Sequence, residues 1–145
     1  MKRFLRCLSF VLVLASLISI PAQAVEQNLT RGSDYFLCSS VYLYNFSGTT
    51  FEAWFSVTAL DGMDELGASS IRIQESEDGV NWITVQTYRR DAYSNLIREN
   101  TGIHASYIVH TGKSGYYYRS KVILYAKNEN GWAEITEYSP TYRID

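Results

Sequence analysis

From Thr50 to Ala59 the chain alternates more strictly than anywhere else. Phe51, Ala53, Phe55, Val57 and Ala59 fall on one parity, and Glu52, Trp54, Ser56 and Thr58 on the other. A period of two is that of a strand with one face on a core. The first set is therefore assigned to the interior, and Trp54 points outward or toward a neighbouring element. A second signal runs from Ser69 to Tyr88. Ile71 and Ile73 alternate with Arg72 and Gln74, Glu77-Asp78-Gly79 is turn chemistry, and Trp82-Ile83-Thr84-Val85 reads as the return strand of a hairpin. Trp82 and Val85 lie an odd number of residues apart, so strict alternation cannot bury both. A bulge, or Trp82 covering the sheet end, resolves this. A lone hairpin is marginal in water and needs a second layer to pack against.

The remaining elements follow the same logic. Tyr35 to Phe46 carries one or two strands, with Val41 and Leu43 facing one way and Tyr42 and Tyr44 the other, and Ser47-Gly48 turns the chain. Leu60 to Ala68 reads as an acidic loop. Arg89 to Ala105 reads as a long connection with a short helical turn around Tyr93 to Ile97, of a length that is often functional or mobile. Ser106 to His110 is predicted as a short strand and Tyr116 to Lys127 as the longest one. In the latter Val122, Leu124 and Ala126 take one face, and Tyr117, Arg119, Lys121, Ile123, Tyr125 and Lys127 the other. Asn128 to Gly131 turns into a strand from Trp132 to Tyr138, and Pro140 stops further pairing. No helical periodicity competes. The pattern predicts an all-β fold, an antiparallel two-sheet sandwich of immunoglobulin or fibronectin type with seven or eight strands.

Composition adds a location. Basic residues at Lys2, Arg3 and Arg6, an apolar run from Cys7 to Ile20, and Ala22-Gln23-Ala24 have the form of a secretory leader over residues 1–24. The run is too short for a spanning helix. Residues 25–145 then form a single secreted, extracellular domain with no membrane span. Ten basic residues stand against fifteen acidic ones there, a net charge of −5. That balance argues against nucleic acid and anionic membranes as partners. Cys38 is the one cysteine left after processing, so no internal disulfide forms. Its setting in Tyr35-Phe36-Leu37-Cys38 reads as a buried, inert thiol, with an intermolecular disulfide as the alternative.

Three blocks carry a resemblance: Met63-Asp64-Glu65-Leu66-Gly67-Ala68-Ser69, Ser76-Glu77-Asp78-Gly79-Val80-Asn81-Trp82 and Ser114-Gly115-Tyr116-Tyr117-Tyr118-Arg119. They resemble an uncharacterised family of small secreted proteins of Gram-positive bacteria, a domain of unknown function. That likeness implies no activity and no catalytic residue.

The chemistry is thin. Asp61, Asp64 and Glu65 invite calcium, but their spacing fits no regular calcium loop and a solvated acidic loop is the reading taken. His104 and His110 lack further ligands at zinc spacing and read as exposed loop residues. No nucleophile elbow is present, so a hydrolase is the least favoured class, and no cofactor or metal is implied. The best site is the outward stripe of Tyr117, Arg119 and Tyr125, joined by Trp54, as a surface for a cell-surface glycan or protein. The plainer account of the stripe is cross-strand covering. The expectation is a non-catalytic binding module, with a small antibacterial or toxin-like protein as the alternative.

Overall fold

The computed structural model describes residues 34–145. The leader assigned to 1–24 and the lead-in at 25–33 lie outside the described residues. The described chain forms strands β1 (Phe36–Ser47), β2 (Thr50–Ser76), β3 (Ile83–Arg89), β4 (Ile97–Thr111), β5 (Tyr117–Asn128), β6 (Gly131–Tyr138) and β7 (Tyr142–Arg143), with one 3₁₀ turn at Ser94–Leu96. All pairings are antiparallel. The strands join in one seven-stranded sheet, curled like a half-barrel.

The reason for a single sheet is β2. It runs 27 residues without a break and has partners along both edges. Its first half pairs with β1 on one edge and β4 on the other, from Val41↔Phe55 to Trp54↔Tyr107. Its second half pairs with β5 on the first edge and β3 on the second, as in Ile71↔Val122 and Ile71↔Tyr88. The segment expected to be the acidic loop, Leu60–Ala68, is the middle of this strand. Met63, Leu66 and Ala68 are buried there while Asp61 and Asp64 are exposed, but Met63 and Leu66 are of opposite parity, so simple alternation does not describe this stretch. The longest strand is thus β2, not the Tyr116–Lys127 segment.

The predicted inside set holds. Phe51, Phe55 and Val57 are fully buried, and so are Val122 and Leu124 from the other half. Each such side chain contributes roughly 1.5–3 kcal/mol on burial, and among the described residues Cys38 is free, so this burial holds them together. The hairpin resolves its parity conflict in both of the expected ways. A register shift at Ile73/Gln74 sets Val85 aside as a bulge, and Trp82 lies before β3 with its ring over Arg119. The long connection shrinks, because β4 is 15 residues long and starts at Ile97. The 3₁₀ turn falls within the stretch expected to hold a helical turn.

β2 loses and regains register between Thr58 and Met63 against β4 and between Ala68 and Ser70 against β5, and irregularities of this kind bend a strand. Between these shifts Gly67 pairs with Ile97 on one side and Tyr125 on the other. Its φ is +154°, and a Cβ there would overlap the Leu96 carbonyl and sit 3.0 Å from the His104 ring. Only glycine lets the 3₁₀ turn pack onto the bend. Gly67→Ala is expected to lower stability by about 2–4 kcal/mol in urea unfolding. Gly62→Ala, where a Cβ meets nothing within 4 Å, should stay within about 0.5 kcal/mol of the parent.

Candidate functional site

Outward-facing aromatics meet across β1, β2 and β4. Registers Tyr42↔Trp54 and Trp54↔Tyr107 place the three rings in one row. Tyr42 and Trp54 are parallel with centroids 6.3 Å apart, and Trp54 and Tyr107 stack at 4.6 Å. Tyr44 meets Tyr42 edge-on at 6.4 Å. The Trp54 indole N–H donates to Glu52 at 2.7 Å, which fixes the ring. Tyr42, Tyr44 and Tyr107 are 36%, 60% and 41% exposed. No lysine or arginine occurs in 38–44, 52–58 or 103–109. The face is therefore aromatic, hydroxyl-bearing through Ser40, Ser56 and Thr58, and nearly uncharged.

Tyr107 also belongs to a groove of about 710 Å³ along the free edge of β4, lined by Tyr88, Tyr93, Asn95, Ser106 and Val109. The groove exists because β3 and β4 share one edge of β2 in succession and do not pair with each other. Side chains cap the bare strand edge. The Asn95 amide donates to Ser106 Oγ and to the Tyr107 carbonyl, both at 2.9 Å. Tyr88 Oη donates to the Val109 carbonyl at 3.2 Å and lies 3.1 Å from His110 Nδ1.

The sequence-predicted site residues separate. Trp54 stands in the row just described. Tyr117, Arg119 and Tyr125 lie on the outer face of the other half, and each is covered. The Arg119 guanidinium is 4.2 Å from the Trp82 ring centre and 5.0 Å from that of Tyr138, while its Nε donates to Gln74 Oε1 at 2.8 Å. Tyr125 is only 8% exposed, packed between Trp132 and the Arg90 guanidinium. The Tyr117 ring has Arg143 over it and Gly79 beside it. All three make the cross-strand contacts of the plainer account. Tyr42, Tyr107, Tyr93 and Asn95 were missed. The parity of Tyr42 against Val41 and Leu43 marks it as outward, but the strand pairing that aligns it with Trp54 carries no local signal.

Polar groups gather at the opposite end of β2. Glu75, buried, accepts from Tyr118 Oη at 2.8 Å and from Lys113 Nζ at 2.9 Å. Tyr118 Oη in turn accepts the Lys113 backbone N–H at 2.8 Å. Burial works to raise Glu75, but the Lys113 and Tyr118 hydrogen bonds outweigh it and hold the carboxyl below its usual range. Burial, together with the hydrogen bond to Glu75, pushes Tyr118 up to about 12. The histidines are not the exposed loop residues expected. Both project inward from β4, since His104 and His110 share the parity of buried Ile108. Burial lowers the pKa of each. His104 Nε2 lies 2.9 Å from the Asn95 carbonyl. Cys38 is exposed and not core, because a register shift between Phe36 and Cys38 turns its side chain outward. Of the acidic trio, Glu65 is paired with Arg90 at 3.0 Å and Lys127 at 3.2 Å. Among the described residues no three His, Cys, Asp or Glu side chains converge on a metal-sized site.

The His104, His110 and Glu75 shifts share one sign, downward. A histidine held below 6.5 in the fold is protonated preferentially in the unfolded chain, so stability is full above that pH and falls on acidification through it. Glu75, also lowered, adds a further loss as pH falls through the carboxylate range. Thermal unfolding is therefore expected at a lower midpoint at pH 5 than at pH 7, and lower again at pH 4. His110→Gln should flatten the upper part of that fall and Glu75→Gln the lower part.

No known protein family and no curated protein matches the chain. The three-block resemblance to small secreted proteins of Gram-positive bacteria accordingly stays a proposal, and the functional reading rests on the geometry above.

Proposed function

We propose that the chain is a secreted, non-catalytic binding module that holds an uncharged cell-surface glycan on the outer face of β1, β2 and β4. The observation that carries this is the Tyr42–Trp54–Tyr107 row. Tyr42 and Tyr107 are exposed and Trp54 is half-buried between them, the rings are held by one another and by Glu52, and the face carries hydroxyls and no lysine or arginine. Sugar rings present apolar C–H faces and polar rims, and rigid Tyr and Trp side chains match both at little entropic cost. The groove beside Tyr107 extends the surface with an amide and further tyrosines.

A non-catalytic role is supported by where the titratable groups are committed. Glu75, Lys113, Tyr118 and His110 bond to one another or to neighbouring strands. Secretion is supported by the form of residues 1–24. A two-layer, sandwich-like reading of the fold is supported by the shared interior, in which side chains of both halves of β2 belong to one core cluster.

The test is intrinsic tryptophan fluorescence and affinity electrophoresis against soluble uncharged polysaccharides, glucans and mannans among them. Trp54→Ala should weaken binding by roughly tenfold or more, and Tyr42→Ala or Tyr107→Ala by roughly three- to tenfold, in line with ~1–2 kcal/mol per aromatic contact. Absence of binding across the panel, or affinity that survives Trp54→Ala, would sink the proposal.

A further inference from the structure

The outer face of the other half-sheet has the opposite character. Arg72 on β2 lies directly across from Lys121 on β5. Arg89 on β3 pairs with Ser70, the next outward position along β2. Arg119 lies one outward position from Lys121 and opposite Gln74. Four cations thus form one contiguous patch. Among the described residues the ion pairs are Arg90–Glu65, Lys113–Glu75 and Lys127–Glu65, so none of these four has a carboxylate partner. Like charges directly across a ladder oppose each other, and the arrangement persists in a chain whose overall charge is negative.

The patch is shaped as well as charged. A depression of about 370 Å³ is lined by Ser70, Arg72, Arg89, Arg90, Asp91 and Glu134. The two acids there are not within ion-pair distance of Arg72 or Arg89. Arg119 is clamped between the Trp82 and Tyr138 rings, and the Lys121 ammonium lies 5.6 Å from the Tyr138 ring centre. With its Nε donating to Gln74, Arg119 is held in place, so its terminal N–H groups lose little freedom on meeting an anion.

We infer that Arg72, Arg89, Arg119 and Lys121 form a second binding surface, for an acidic polysaccharide. Charge complementarity selects an anion. The aromatic rings interleaved with the cations select one carried on sugar rings, since a ring can lie on Tyr138 while its carboxylate meets Arg72 or Lys121. This surface faces away from the Trp54 row and does not depend on it.

The test uses polygalacturonate as probe, with single-stranded DNA and phosphatidylglycerol vesicles as competing polyanions. Polygalacturonate is expected to bind, to lose roughly tenfold in affinity between ~50 and ~200 mM NaCl, and to lose at least tenfold in an Arg72→Gln/Arg89→Gln/Lys121→Gln variant with an unchanged melting curve. Arg89→Gln alone, at an exposed position, should cost about threefold and serves if the triple variant does not fold. Trp54→Ala should leave this binding intact. No binding of polygalacturonate overturns the inference, and so does binding indifferent to these substitutions. Tighter binding of DNA or vesicles than of polygalacturonate also overturns it, by assigning the patch to another polyanion.

Discussion

A single strand that stays paired while it bends determines the rest of this structure. β2 offers both edges along 27 residues, so four strands are organised by one segment. A strand of that length left straight would expose one face of each half to water. The bend brings the two inner faces together instead, and glycine at position 67 is what the geometry requires there. Tyr125 and Ile97 flank it in the ladder and the Leu96 carbonyl sits against its α-carbon. Buried Phe51, Phe55, Ile71 and Leu124 become a shared core only because of that turn. The stability of the apolar interior and the curvature of the sheet are thus one constraint seen from two sides.

The same bend sorts the surface. The outer faces of the two halves point in different directions and carry different chemistry, although one strand supplies residues to both. Near Trp54 the rings stack on rings, so their outer edges stay available. Near Arg119 and Tyr125, guanidinium groups lie against the Trp82, Tyr138 and Tyr125 rings, which sets charge beside the aromatic surface that Tyr138 still exposes. Cation–π contacts at exposed sites contribute only ~0.5–1 kcal/mol each, so they add little to stability. Their larger consequence is to fix where the cations stand.

What the sequence made legible was parity. Alternation alone assigned Phe51, Phe55, Val122 and Leu124 to the interior and Trp54 to the exterior, and the bulge opposite Ile73 followed from the odd spacing of Trp82 and Val85. Pairing was not legible. Leu60–Ala68 has the glycines and carboxylates of a loop, yet β4 pairs with it from Met63 to Gly67 and β5 from Glu65 to Ala68, which holds it extended. The histidines were misplaced for a related reason. His104 and His110 have the polarity of a loop, while their parity with Ile108 puts them inside once the strand extends back to Ile97. The candidate site suffered most, because Tyr42, Trp54 and Tyr107 are brought together only by register between strands distant in sequence. Tyr117, Arg119 and Tyr125 share a face, as predicted, but what covers them comes from other elements, Trp82, Trp132 and Arg90.

Net charge illustrates why a sum misleads where a map does not. An excess of acids argues against polyanionic partners only if the cations are dispersed. Antiparallel register undoes that assumption here: residues 72, 89 and 121 are far apart along the chain, and the ladder sets them side by side. Coulomb interactions between exposed groups fade over about 8–10 Å at ordinary ionic strength. An approaching anion therefore responds to the groups at the patch, Arg72, Arg89, Arg119 and Lys121 against the neighbouring Asp91 and Glu134, and not to the sum over the chain. The aromatic row presents the converse case, a surface without lysine or arginine that offers a polyanion nothing to replace its water. On the two proposals together, the faces of one bent strand would discriminate between neutral and acidic polymers without any residue serving both.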